Sequence, residues 1–266
     1  MLIFPNKGGI MRKLKILLIL LFSITIFLFP QEKPTFYYEK TILKPGVNFE
    51  YLLRKLDTDE AVNPSLKAYL ISFKADSEIS ERITISLWIG GILSKYDNMI
   101  FKGIPISLKI MEKESGTVYG LLAGGGMDIK IAEYENLNFN LFGKIDYCFG
   151  IEKNWDITEL AVPGKAKGRS NWGRVCTGPK IVYLISESIK PYAGLVFDHI
   201  FGKFNMDETI SSLEGSESKK FNSKTSFGIL LGGEIEIYEG FELNGGAIIY
   251  PAGENLNVFG GLKYSF

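Results

Sequence analysis

Asn255 to Phe266 reads N-L-N-V-F-G-G-L-K-Y-S-F. Leu256, Val258, Gly260, Leu262, Tyr264 and Phe266 share one parity, and Asn257, Phe259, Gly261, Lys263 and Ser265 share the other. Successive side chains of a strand point to opposite faces, so this period of two predicts a strand with one apolar side and one mostly polar side. A soluble domain could end in the same way. The rest of the chain decides between them.

Working outward, the alternation recurs over Gly46 to Arg54, Leu66 to Lys74, Arg82 to Leu93, Thr117 to Ile131 and Leu137 to Phe149. It returns over Val175 to Ile185, Pro191 to Phe204, Ser226 to Tyr238 and Phe241 to Tyr250. With the last stretch this predicts about ten strands, against eight if the first hairpin is peripheral. Twelve result if Phe36 to Leu43 and Gly103 to Met111 both join. Pro105 cannot donate to a ladder, so Gly103 to Met111 reads as a structured loop. Short links (Ala75 to Ser80, Ala132 to Asn136, Ser186 to Lys190, Glu239-Gly240) alternate with long polar ones (Leu56 to Pro64, Glu152 to Trp172, Asn205 to Asn222) up to the last hairpin, whose closing turn, Pro251 to Glu254, is also short.

In this pattern, and in the closing Leu262, Tyr264 and Phe266, the chain resembles bacterial outer-membrane β-barrels of the small porin-like or opacity-like type. The resemblance implies an all-β, antiparallel up-and-down transmembrane barrel with short periplasmic turns and longer outer loops. It implies that the three closing residues are the assembly signal read by the barrel-assembly machinery. Outer-membrane lipid and periplasmic chaperones are the other partners implied. A soluble periplasmic barrel is the competing architecture.

The 266 residues suit one barrel-sized domain, over 32–266, and thirty basic residues cancel thirty acidic ones. No net field draws nucleic acid. Met11-Arg12-Lys13-Leu14-Lys15 precedes an apolar run from Ile16 to Phe29. A charged start followed by so short a run reads as a secretory signal over 1–31, with Met11 a candidate true start. Fourteen helical residues rise about 21 Å, short of the roughly 30 Å hydrocarbon core.

Lys130, Lys144, Asp146, Glu234, Glu236 and Lys263 lie mid-strand on the polar parity. A basic side chain facing lipid at midplane costs about 2–4 kcal/mol, so these six are expected to line the lumen. Their mixed signs predict a salt-bridged plug, with Trp88, Leu122 and Phe142 filling space beside it. The only cysteines, Cys148 and Cys176, fall on neighbouring strands facing inward; a disulfide and two unpaired core thiols are both open readings. His199 falls on the outward parity while Asp198 points in, which separates the one histidine from its adjacent carboxylate. Gly124-Gly125-Gly126 lacks the G-K-[ST] of a phosphate loop and reads as strand. Lys165 to Arg174 reads as a basic loop segment, solvated or touching lipopolysaccharide phosphates. Tyr119, Tyr147, Phe149, Tyr264 and Phe266 are candidates for an interfacial aromatic girdle. No cofactor or metal site is expected. The reading is of a non-enzymatic barrel, a surface or scaffold protein or a low-conductance pore. Its alternative is a barrel enzyme acting on lipid or peptide.

Overall fold

In the computed structural model the described residues are 42–58, 63–110, 116–157, 164–251 and 255–265. The expected leader over 1–31 and the terminal Phe266 lie outside them. The strands, in order, are β1 (Ile42–Asp57), β2 (Ser65–Ser80), β3 (Ile83–Asp97), β4 (Met99–Phe101), β5 (Leu108–Ile110), β6 (Thr117–Tyr134) and β7 (Leu137–Gly150). They continue as β8 (Lys153–Ile157), β9 (Gly164–Tyr183), β10 (Ile189–Ile210), β11 (Leu213–Ser223), β12 (Phe227–Tyr238), β13 (Phe241–Ile249) and β14 (Leu256–Tyr264).

Ten of these close a ring, β10-β12-β13-β14-β1-β2-β3-β6-β7-β9, and β9 pairs back onto β10. The registers joining consecutive ring members are antiparallel. Closure leaves the ring no free edge, which is what a sheet needs in lipid. The links over 81–82, 135–136, 184–188 and 239–240 all lie at one end. One of them, Glu239-Gly240, turns with Gly240 at φ +80°, a conformation that favours glycine.

The segments read as polar loops depart from expectation. Lys165 to Arg174 belongs to β9, which runs 20 residues. Asn205 to Asn222 forms the outer parts of β10 and β11, joined by a turn at Ser211 with φ 54°. Gly103 to Met111 contributes only β5, in a two-stranded hairpin with β4. Charge hid these extensions: beyond the membrane both faces of a strand can be polar, so the alternation fades while the ladder continues.

Outward parity is apolar around the ring. Phe73 is 72% exposed, Leu87 65%, Ile145 60% and Phe227 69%. At the long-loop end the belt closes with Tyr69, Tyr119, Phe149 and Phe201, and at the short-turn end with Tyr134, Tyr183, Tyr238 and Phe241. Tyr264 joins the lower girdle, its ring 4.6 Å from that of Phe241. Amphipathic rings at two levels match two membrane–water interfaces.

Candidate functional site in the barrel interior

The inward faces form three layers. At the short-turn end is a cavity of about 850 Å³ lined by charged and aromatic side chains. Lys44 bridges Glu78 at 2.8 Å and Glu242 at 2.7 Å, and Lys263 reaches Glu242 at 2.9 Å and Glu234 at 3.8 Å. Higher on the wall, Lys180 pairs with Asp128 at 2.5 Å and stands over the rings of Tyr192 and Phe142. Trp88 lies flat against the wall of β6. A Cβ at Gly124 would collide with its indole Nε1, and one at Gly126 would sit 3.3 Å from the ring. The glycine run is therefore the seat of a tryptophan.

Above the cavity the lumen is crossed by ion pairs. Arg174 on β9 donates through Nε to Asp198 Oδ1 at 2.7 Å and through Nη2 to Oδ2 at 2.6 Å. Its Nη1 donates to Glu50 on β1. In a ten-strand ring β1 and β9 are five places apart, so the Glu50–Arg174 pair spans the barrel. Arg54 of β1 reaches Asp198 Oδ2 at 3.2 Å, donates to the Asp198 carbonyl at 3.0 Å and lies 4.1 Å over the Tyr250 ring. The Tyr250 hydroxyl donates to Asp198. Lys144 reaches Glu50 Oε2 at 3.1 Å, Asn257 donates to Glu50 at 2.7 Å, and Trp88 Nε1 donates to Asp146 at 2.8 Å. Arg54, Arg174 and Lys144 balance Glu50, Asp146 and Asp198 in formal charge. Buried ions persist only with such pairing and hydrogen bonding.

The third layer, toward the long-loop end, is apolar. Leu52, Leu56, Leu66, Tyr96, Trp172 and Phe204 are fully buried or nearly so. The 98–110 segment folds over this mouth and buries Met99, Phe101 and Ile110 in it. Phe101 packs on Phe204 with ring centroids 5.6 Å apart. Glu217, on the inward face of β11, fastens the segment, accepting from the Lys102 amide at 2.7 Å and the Gly103 amide at 2.6 Å. Glu208 accepts from the Ile106 amide at 2.8 Å.

Of the six expected lumen residues, Lys144, Asp146, Glu234 and Lys263 line the cavity. Lys130 and Glu236 sit at the short-turn rim outside its lining, Lys130 paired with Glu133 at 2.7 Å and Glu236 accepting from the Gly240 amide at 3.3 Å. The disulfide reading is corrected: Cys148 and Cys176 are free and buried. Cys148 registers with Trp172 while Cys176 registers with Lys144, four residues along the same pair of strands. That offset is about 13 Å, beyond the roughly 7 Å a disulfide can bridge. His199 faces outward between Phe197 and Phe201, its Nδ1 3.0 Å from Ser226 Oγ and 3.2 Å from Ser223 Oγ. Asp198 points the other way and is committed to the two arginines. Leu262 lies on the exposed apolar face of β14, beside Tyr264.

Sequence reading did not single out Glu50, Arg54, Arg174 and Tyr250. The signal available was a charge or phenol on the inward parity. What parity could not show is which opposite walls meet.

No protein-family model and no curated protein matches the chain. Among solved structures, the translocator domain of the autotransporter NalP from Neisseria meningitidis is similar at 10% identity and TM-score 0.47, over 87% of this chain and 90% of that one. The outer-membrane protease OmpT from Escherichia coli is similar at 10% identity and TM-score 0.46, over 88% and 99%. A major outer membrane protein from Thermus thermophilus is similar at 10% identity and TM-score 0.39, over 86% and 100%.

Proposed function

We propose that this chain is an outer-membrane β-barrel that holds its lumen shut, acting as a scaffold or surface protein that conducts little or no solute. Its long-loop end faces the cell exterior, and the charged cavity opens toward the periplasm. The observation that carries the reading is the pairing of an uncharged apolar belt outside with ion pairs spanning the lumen inside. A soluble barrel would leave that belt in water, and contiguous apolar patches beyond a few hundred Å² are rare on soluble monomers. Above the ion pairs the apolar layer and the 98–110 segment stop water a second time. Enzymatic action on lipid or peptide has less support, because the carboxylate of Asp198 is turned away from the outward-facing His199.

The test has two readouts. The chain should fractionate with the outer membrane and run differently on a gel before and after boiling. The folded protein in planar bilayers should then show no steady open channel. Recovery in the detergent-free soluble fraction would end the membrane reading. A large, stable conductance would end the closed-lumen reading.

A further inference from the structure

We infer that the outer wall formed by β9, β10 and β11 carries a binding site for the phosphates of a diphosphorylated outer-leaflet glycolipid. The inference rests on the membrane orientation proposed above. On β10 the outward side chains stay apolar or aromatic from Ile189 up to Phe201, apart from His199. That run rises about 30 Å at the tilt of a closed barrel, the thickness of a hydrocarbon core. The next outward residue is Lys203, at the headgroup level.

Lys203 registers directly with Lys220 on β11. Like charges opposite one another weaken a strand pair. Neither lysine has an ion-pair partner among the described residues, so both are available to an anion. Beneath them lies a groove of about 340 Å³ between Tyr147 and Phe201, edged by the Asn171 and Asn222 amides. Cations and amides stand above an aromatic trough, which is the gradient of a lipid with its phosphate uppermost and its acyl chain below. One step higher on the neighbouring strand, Arg169 faces outward opposite Asn205. It stands about 8 Å from Lys203 by strand spacing and rise. Two cationic positions at that separation give a headgroup bearing two phosphates a cation for each.

The experiment uses the full chain in detergent, with its gel shift on boiling as the check on barrel folding. Purified diphosphorylated lipid A, phosphatidylglycerol and phosphatidylethanolamine are each titrated in, and retained lipid is read by native mass spectrometry. We expect lipid A to be retained at least tenfold more than either phospholipid. Retention should fall about tenfold in K203Q/K220Q and survive in K203R/K220R. Equal retention by the native chain and K203Q/K220Q overturns the site, as does equal retention of all three lipids. Loss confined to phosphatidylglycerol would also overturn it, by pointing to a single-phosphate ligand. If K203Q/K220Q fails the gel-shift check, R169Q together with K203R/K220R carries the same comparison. A native chain that shows no gel shift on boiling and stays soluble without detergent would refute the membrane reading instead, a separate result.

Discussion

Arg174 is the residue on which the interior turns. Its guanidinium is fully buried and divided between Asp198 on the neighbouring strand and Glu50 on the opposite wall. Removing one partner from such a network leaves buried charge uncompensated, which costs about 3–5 kcal/mol. R174M should therefore lower the unfolding free energy obtained from urea titration, followed by tryptophan fluorescence in detergent, by an amount in that range, and bring the midpoint down with it. R174K should recover only part of it, because an ammonium lacks the planar fork that holds two carboxylates at once. An R174M midpoint equal to the native one would show that Lys144 and Arg54 suffice. Gly124 makes a second case at this scale. Any side chain there meets the Trp88 indole and the Ile145 carbonyl, 2.7 Å from a Cβ, so G124V should displace Trp88 from Asp146. The displacement should appear as a changed tryptophan emission in a barrel that still shifts on boiling.

At the scale of elements, the 98–110 segment is held by few groups, and one of them titrates outside the membrane. Glu217 is partly desolvated, which raises its pKa. The Gly103 amide, Lys219 and the Lys102 amide outweigh that and hold its carboxyl below the ordinary glutamate range. A carboxyl whose pKa is lower in the folded state stabilises it fully above the unfolded value, about 4.3. That contribution is lost as pH falls through the lower folded value. Acid should therefore loosen the segment before it unfolds the ring. The protection of the 102 and 103 amides, their exchange relative to the intrinsic rate at each pH, should fall below about pH 4. In E217Q that protection should be low, and flat across that window. Unchanged protection in E217Q would show that Phe101 and Met99 alone seat the segment. The same elements mark what was legible in the sequence. The ring strands were, because lipid outside and a polar lumen inside force strict alternation on each of them. The extensions of β9, β10 and β11 were not, since water on one or both sides relaxes that demand. The apolar layer was also hidden: Leu52, Leu66 and Ile92 share parity with Glu50 and Ser72, and no local rule marks them as a plug. Cys148 and Cys176 were placed on the correct face, but their four-residue offset belongs to register, which only the pairing of β7 with β9 reveals.

At the scale of the whole molecule, the lumen is closed twice by unlike means. The apolar layer with its 98–110 segment excludes water from the long-loop end, and the Glu50–Arg174–Asp198 bridge crosses the barrel below it. A ten-strand barrel is near the width that side chains alone can fill, so neither closure needs the other. Replacing 99–110 with a short Gly-Ser link should leave the bilayer silent, because the bridge and the inward faces of β1, β2 and β10 remain. E50Q/R174A in the intact chain should also stay silent, since Phe204, Trp172 and Leu56 still meet above. Only the two changes together should produce steady conductance steps. The selectivity of that channel should be weak, because the cavity wall mixes Lys44, Lys180 and Lys263 with Glu78, Asp128 and Glu242. Steady conductance from the 99–110 replacement alone would mean that the bridge opens without the plug above it. The ion pairs would then be a gate resting on the apolar layer, and the lumen would have one closure instead of two.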